Sequence, residues 1–407
     1  MLKLNINNSA VNFDEAQQEL EKIKNVPLPD FARFETDFKE IKRVACNYQH
    51  YRNIIVVGNG GAINSFRGFY SCLAKDKINR RVEILNTVEP DKIKELQQTL
   101  PREKTLLIVI SKSGTNPTAL ELLFAFWNYP KVIVCTEGLG ALYQIVKREK
   151  LDYLKYPSHQ EYPYLDDRHT GISASGLVPA ALVGINVEEI YAGAKEMYRR
   201  CSPAVPIQEN PALQLAATFY LLEKKNFEQI FAPIYSTKLY GFLPLIIQML
   251  HETICKEGQG QTIFGDLAPE SQHHTNQRFF GGKSNVLGFF ITAGQEDQHS
   301  KVEIPVELTD IGLRGSILND LNEVPYAKLL DFEFEGTFQD AVEKKIPVIQ
   351  LELKEISSSS IGQFLAFFQY VAIYSAYLRG VNPLGQPQVE RSKEISFELV
   401  KGYSSHV

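Results

Sequence analysis

Short apolar runs alternate with longer amphipathic stretches through most of the chain. The first run, Ile54-Ile55-Val56-Val57, leads directly into Gly58-Asn59-Gly60-Gly61, and the pattern predicts further strands at 82–85, 106–111 and 132–136. Helical periodicity at 89–99, 117–127 and 138–149 separates them. Strands and helices in this rhythm predict a parallel sheet covered by helices on both faces. After a helical bridge near 186–224 the rhythm restarts, with strands expected at 229–234, 261–265, 286–292, 302–308 and 348–353 and a long apolar helix at 361–378. The fold class expected is α/β, with two doubly wound parallel-sheet domains at 46–205 and 206–380. A helical arm at 1–45, broken around Pro27 and Pro29, precedes them, and a C-terminal segment with a helix, 381–407, closes the site. Ligands in such sheets sit beyond the carboxyl ends of the strands.

Composition narrows the class without changing this picture. Of 407 residues, 44% are hydrophobic and 22% charged, as in ordinary globular proteins. A formal net charge of −5 speaks against nucleic acid as the main partner. No uninterrupted apolar segment is expected to span a membrane, and the first residues lack the basic-then-apolar design of a secretion signal. Five scattered cysteines, an odd number, read as reduced thiols. The expectation is a cytoplasmic protein with neither nucleic-acid nor membrane partners.

Four stretches carry candidate chemistry. Glu252 follows an apolar helical run, with Gln248 four residues before it and Lys256 four after, so one helical face can hold all three. Apolar neighbours disfavour a charged carboxylate and move it toward the range of a general base. An ordinary helix-end ion pair with Lys256 is the alternative. The turn Gly58-Asn59-Gly60-Gly61 permits close backbone approach to an anion or sugar, or is simply a tight turn. Ser111-Lys112-Ser113-Gly114-Thr115-Asn116-Pro117-Thr118 places hydroxyls and amides at a helix start, a cradle for a phosphate monoester. They exceed what a helix cap alone requires. Arg168, in Asp166-Asp167-Arg168-His169-Thr170-Gly171, either stabilises developing negative charge or forms a surface ion pair with a neighbouring Asp. His251-Glu252 with Cys255 is not a zinc motif, because Cys255 stands where the second His belongs, and no metal site is expected.

Together these stretches resemble the glucose-6-phosphate isomerase family, built from two sugar-isomerase domains. GNGGA resembles its G-x-G-G-S turn, SKSGTNPT its S-K-T-x-T-x-x-T loop, and DDRHTGISASGL its G-G-R-[FY]-S-x-x-S-x-x-G-L signature. Gln248 to Lys256 is similar to Q-x-x-x-E-S-x-G-K, APESQHHTNQRFFGG to the region of the Gln-His pair, and NPLGQPQVERSK to N-P-F-D-Q-x-G-V-E-x-G-K. The resemblance implies that Ser111, Lys112, Ser113, Thr115 and Thr118 line a phosphate site. Gly60, Gly61, Gln248, Gln272 and Gln386 would also contact substrate. It further implies that Glu252 moves a proton between C1 and C2 through a cis-enediol, with Arg168 stabilising its charge. His273 would assist ring opening, with Lys393 near the ring oxygen. In the family that His comes from the neighbouring subunit, so a homodimer is implied, and no cofactor is needed.

The departures are Ala62 for Ser in the turn, Asp166 and Asp167 for two glycines, and Gly385, Gln388 and Ser392 for Asp, Gly and Gly. The first reading is an isomerase of glucose 6-phosphate and fructose 6-phosphate, with mannose 6-phosphate as a possible further substrate. The second is a non-catalytic sugar-phosphate sensor, which has no chemical reason to keep Arg168, Glu252, His273 and Lys393 together.

Overall fold

The structure, a computed structural model, describes residues 2–7, 11–74 and 79–404, the side chains of Asn7, Ala62 and Ser404 excepted. Its strands in chain order are β1 (Leu2–Asn7), β2 (Asn53–Val57), β3 (Arg81–Leu85), β4 (Thr105–Ser111), β5 (Lys131–Cys135) and β6 (Asp152–Lys155). They continue with β7 (Gln229–Tyr235), β8 (Thr262–Leu267), β9 (Val286–Ala293), the small hairpin β10 (Gly312–Leu313) and β11 (Ser316–Ile317), and β12 (Val348–Leu353). Two five-stranded sheets result, ordered β3-β2-β4-β5-β6 and β1-β12-β9-β7-β8. All ladders of the first sheet are parallel, and the second is parallel except for β1. The α/β class with two parallel sheets is therefore as the periodicity predicts.

The topology decides where a site can form. Strand β2 pairs with β3 on one side and β4 on the other, so the crossovers leave in opposite directions. The crevice at that switch point lies between the ends of β2 and β4. Gly58–Gly61 and Ser111–Thr118 follow those two ends. In the second sheet β7 pairs with both β8 and β9, making a second switch point, and the helix Leu243–Ile254 with Glu252 follows β7.

The helix Ser358–Arg379 runs through the middle of the molecule. A capping box between Ser357 and Ser360 starts it, and Gly380 at φ +71° ends it in the left-handed conformation. Contrary to the expectation from sequence, it is long and apolar enough to cross a membrane, but it is buried within the fold. A helix apolar all round needs cover on every side. Here the helices Val187–Arg200, Pro211–Lys224 and Leu243–Ile254 supply that cover.

Three sequence expectations are corrected. The start of the chain is not helical: Leu2, Leu4 and Ile6 alternate with Lys3, Asn5 and Asn7, and β1 pairs antiparallel with β12. That is the period of an edge strand with one buried face. The expected strand at 302–308 is absent, because Pro305 removes a ladder donor, and Val306–Leu308 is a 3-10 turn with Val306 85% exposed. The helix Tyr326–Glu343 and the short β6 were not anticipated.

Helices Val187–Arg200 and Ser358–Arg379 approach backbone to backbone at two glycines. A Cβ on Gly193 would lie 2.0 Å from the Ser359 carbonyl oxygen, and one on Gly362 would lie 1.9 Å from that of Ile190. Backbone cannot yield as a side chain can, so either alanine forces the helices apart. Gly362→Ala is expected to lower unfolding free energy by about 1–3 kcal/mol, read from the urea midpoint at unchanged m.

Candidate active site

Arg168 is the centre of the site, buried to 1% exposure in the short 3-10 turn Asp167–His169. Its five N–H donors meet five acceptors. Nε donates to Thr253 Oγ1 at 2.9 Å, and Nη1 to Glu252 Oε2 and Gln386 Oε1 at 3.2 Å each. Nη2 donates to Asp166 Oδ2 at 2.7 Å and the Pro383 carbonyl at 2.6 Å. A surface ion pair is thus excluded as the reading of Arg168. Asp166 is its buried partner, while Asp167 accepts from the Tyr156 hydroxyl.

Glu252 lies in the last turn of the helix Leu243–Ile254, its side chain 26% exposed. One carboxylate oxygen takes the Arg168 bond, and the other accepts from Gln248 Nε2 at 3.1 Å. Gln248 in turn accepts from Asn64 Nδ2 at 2.9 Å through Oε1, which fixes its amide orientation. Burial raises the Glu252 carboxyl above its ordinary value, while Arg168 and Gln248 act in the opposite direction without cancelling it. Lys256 does not share this face. The helix ends at Ile254, and Lys256 Nζ donates to the carbonyls of Asn382 at 2.7 Å and Leu384 at 2.9 Å.

The glycine turn serves close approach, as the sequence suggests, but toward the protein itself. A Cβ on Gly60 would lie 2.8 Å from Gln248 Nε2, and one on Gly61 would lie 2.5 Å from the Arg168 amide nitrogen. Gly60 also has φ +56°, a conformation that favours glycine. The side chain of Ala62 lies outside what the structure describes.

In the hydroxyl loop, Asn116 rather than a Ser or Thr caps the helix Pro117–Ala125, accepting from the Ala119 amide at 3.1 Å. Ser111 Oγ accepts from the Gly114 amide at 3.2 Å, and Ser113 Oγ accepts from the Thr115 amide at 3.2 Å and its hydroxyl at 3.1 Å. Ser113 and Thr115 are exposed and Thr118 is half-buried beside them. The Lys112 ammonium points away, donating to the Leu165 carbonyl, and burial lowers its pKa. Only its backbone is available to the cradle.

Three expected members are not brought together with this cluster. His273 is exposed in the 3-10 turn after β8, the edge strand of the second sheet, while Gln272 Nε2 donates to Tyr235 Oη at 2.9 Å and the Glu333 carbonyl at 3.1 Å. Lys393 is exposed on the helix Glu390–Ser404, paired with Glu390 at 2.7 Å. Asn64, Thr253 and the Pro383 carbonyl are contacts the sequence reading missed. His169 is fully buried with no ring-nitrogen partner among the described residues, its pKa pushed down to about 3 by burial and then by Arg168. It packs as a neutral aromatic against Phe31, centroids 5.4 Å apart. Among the described residues, no group of three or more His, Cys, Asp or Glu is gathered for a metal.

No family model matches the chain. It is 28% identical over 375 residues to a protein named probable glucose-6-phosphate isomerase from Haloquadratum walsbyi, covering 89% of this chain and 83% of that one. Its identity to the glucose-6-phosphate isomerase of a Cyanothece species is 30% over 366 residues, 84% of this chain and 65% of the relative. A crystal structure of a glucose-6-phosphate isomerase from Chlamydia trachomatis superposes with TM-score 0.75 at 17% identity, covering 99% of this chain and 89% of that chain. The fold is that of the phosphosugar isomerases.

The raised Glu252 carboxyl has a consequence for stability. A carboxyl whose folded pKa exceeds its unfolded one gives the fold a contribution present at low pH and lost as pH rises through the folded value. Glu252→Gln removes that loss. Its thermal midpoint relative to wild type is expected to rise between about pH 4 and about pH 8, measured by calorimetry at both.

Proposed function

We propose that the chain isomerises glucose 6-phosphate and fructose 6-phosphate through a cis-enediol. The observation that supports this most is Glu252 itself, a partly exposed carboxylate of raised pKa with one Arg168 and one Gln248 donor. Glu252 removes the proton from C2 of the open-chain aldose and delivers it to C1, while a proton moves between the two oxygens. Arg168 stabilises the charge of the enediolate as it forms. The exposed hydroxyls of Ser113 and Thr115, with the loop amides, hold the phosphate. The glycine turn leaves room for Gln248 and the Arg168 backbone to lie close beside it.

Ring opening is assigned to His273 of a second copy in a homodimer, with Lys393 near the ring oxygen. Their exposure in the single chain is compatible with that assignment. The chemistry proposed requires no cofactor.

Purified protein is expected to convert fructose 6-phosphate to glucose 6-phosphate, in a coupled assay, equally with and without a chelator. Glu252→Gln should lower turnover on the order of a hundredfold or more. Sugar phosphate that raises thermal stability of an inactive wild type would instead favour the sensor.

A further inference from the structure

The segment 382–386 lies across the clamp as a strap, and four tethers hold it. Lys256 donates to the Asn382 and Leu384 carbonyls, and Arg168 donates to the Pro383 carbonyl and the Gln386 side chain. A further tether runs the other way: the Gly385 amide donates to Asp166 Oδ2 at 2.9 Å, the same oxygen that accepts from Arg168 at 2.7 Å. One carboxylate oxygen therefore joins the clamp loop, the guanidinium and the strap.

We propose that Asp166 is a positioning residue, the permanent counter-charge of Arg168, and that the same carboxylate oxygen holds the strap through the Gly385 amide. This rests on the isomerase reading. Glu252 is the other carboxylate on Arg168, but a base gives up its negative charge whenever it holds the substrate proton. At that moment a buried guanidinium with no second carboxylate would be uncompensated, a costly state. Asp166 does not accept the substrate proton. Burial opposes its ionisation, yet Arg168, the Gly385 amide and Lys112 together keep its carboxyl below the ordinary range. Arg168 can then stay in place while the charge on Glu252 comes and goes.

The test compares wild type, Asp166→Gly and Asp166→Asn. Two readouts are taken: steady-state isomerase kinetics, and amide hydrogen exchange over 382–389. Asp166→Gly is expected to lower kcat by about ten- to a hundredfold with KM changed much less, and to speed exchange in the strap. Asp166→Asn should keep more of the strap protection than Asp166→Gly while still losing kcat, because it retains an acceptor without the charge. Wild-type turnover and exchange in Asp166→Gly would overturn the proposal, as would undiminished kcat in Asp166→Asn. An inactive wild type would sink the isomerase reading alone, and the exchange rates would then decide whether Asp166 holds the strap.

Discussion

A guanidinium buried to 1% exposure must find an acceptor for every donor, and Arg168 finds them on three separate parts of the chain. Asp166 comes from its own loop, Thr253 and Glu252 from the helix after β7, and Pro383 and Gln386 from the strap. Breaking one partner of such a buried pair typically costs about 3–5 kcal/mol, because the other charge is left without compensation. The two sheets and the C-terminal segment are therefore held in register by one side chain. The glycine turn after β2 completes the arrangement from outside, since a side chain at Gly61 would collide with the Asp167–Arg168 peptide.

The same economy links the site to the hydroxyl loop. Lys112 follows Ser111 at the end of β4 but sends its ammonium to the Leu165 carbonyl, just ahead of Asp166. The hydroxyl loop and the clamp loop thus share a tether. Behind them the helix Ser358–Arg379 gives both halves a common packing surface, and Gln369 reaches from it to the His169 carbonyl at 2.7 Å. A neutral His169 fits that environment, because a second cation beside Arg168 would have no acceptor to balance it.

Most of the sheet framework was legible because it is written locally. The apolar runs at β2, β4, β5, β7, β9 and β12 each sit within a residue or two of the expected bounds. The errors have physical causes of two kinds. At β1 an alternating hexapeptide stands next to helical periodicity that masks it, and its partner β12 lies at the other end of the chain. At 302–308 the alternation is real, but among the described residues its backbone pairing is limited to Val302 against Glu323 and Val324, and Pro305 removes a ladder donor further on. In the site, Arg168, Glu252 and Gln248 could be found as local motifs. Their partners Asn64, Thr253 and Pro383 could not, because nothing at those positions marks a contact made across the fold. Lys256 misled for the opposite reason: four-residue spacing suggested a shared helical face, but the helix stops at Ile254.

What a single chain gathers and what it leaves exposed divide along a chemical line. The groups proposed to move the proton between carbons, Glu252, Gln248 and Arg168, are fixed by hydrogen bonds within one chain. The groups proposed for ring opening, His273 and Lys393, stand on exposed elements, a turn after the edge strand β8 and the terminal helix. Proton transfer next to a carbonyl depends on sub-ångström placement of base and clamp, and a rigid buried network provides it. Ring opening needs an acid or base only near the ring oxygen, and then only before that transfer begins. It is the step that a His273 supplied by a second copy would serve under the proposed reading, and His273 and Lys393 are the members that the fold of one chain leaves exposed.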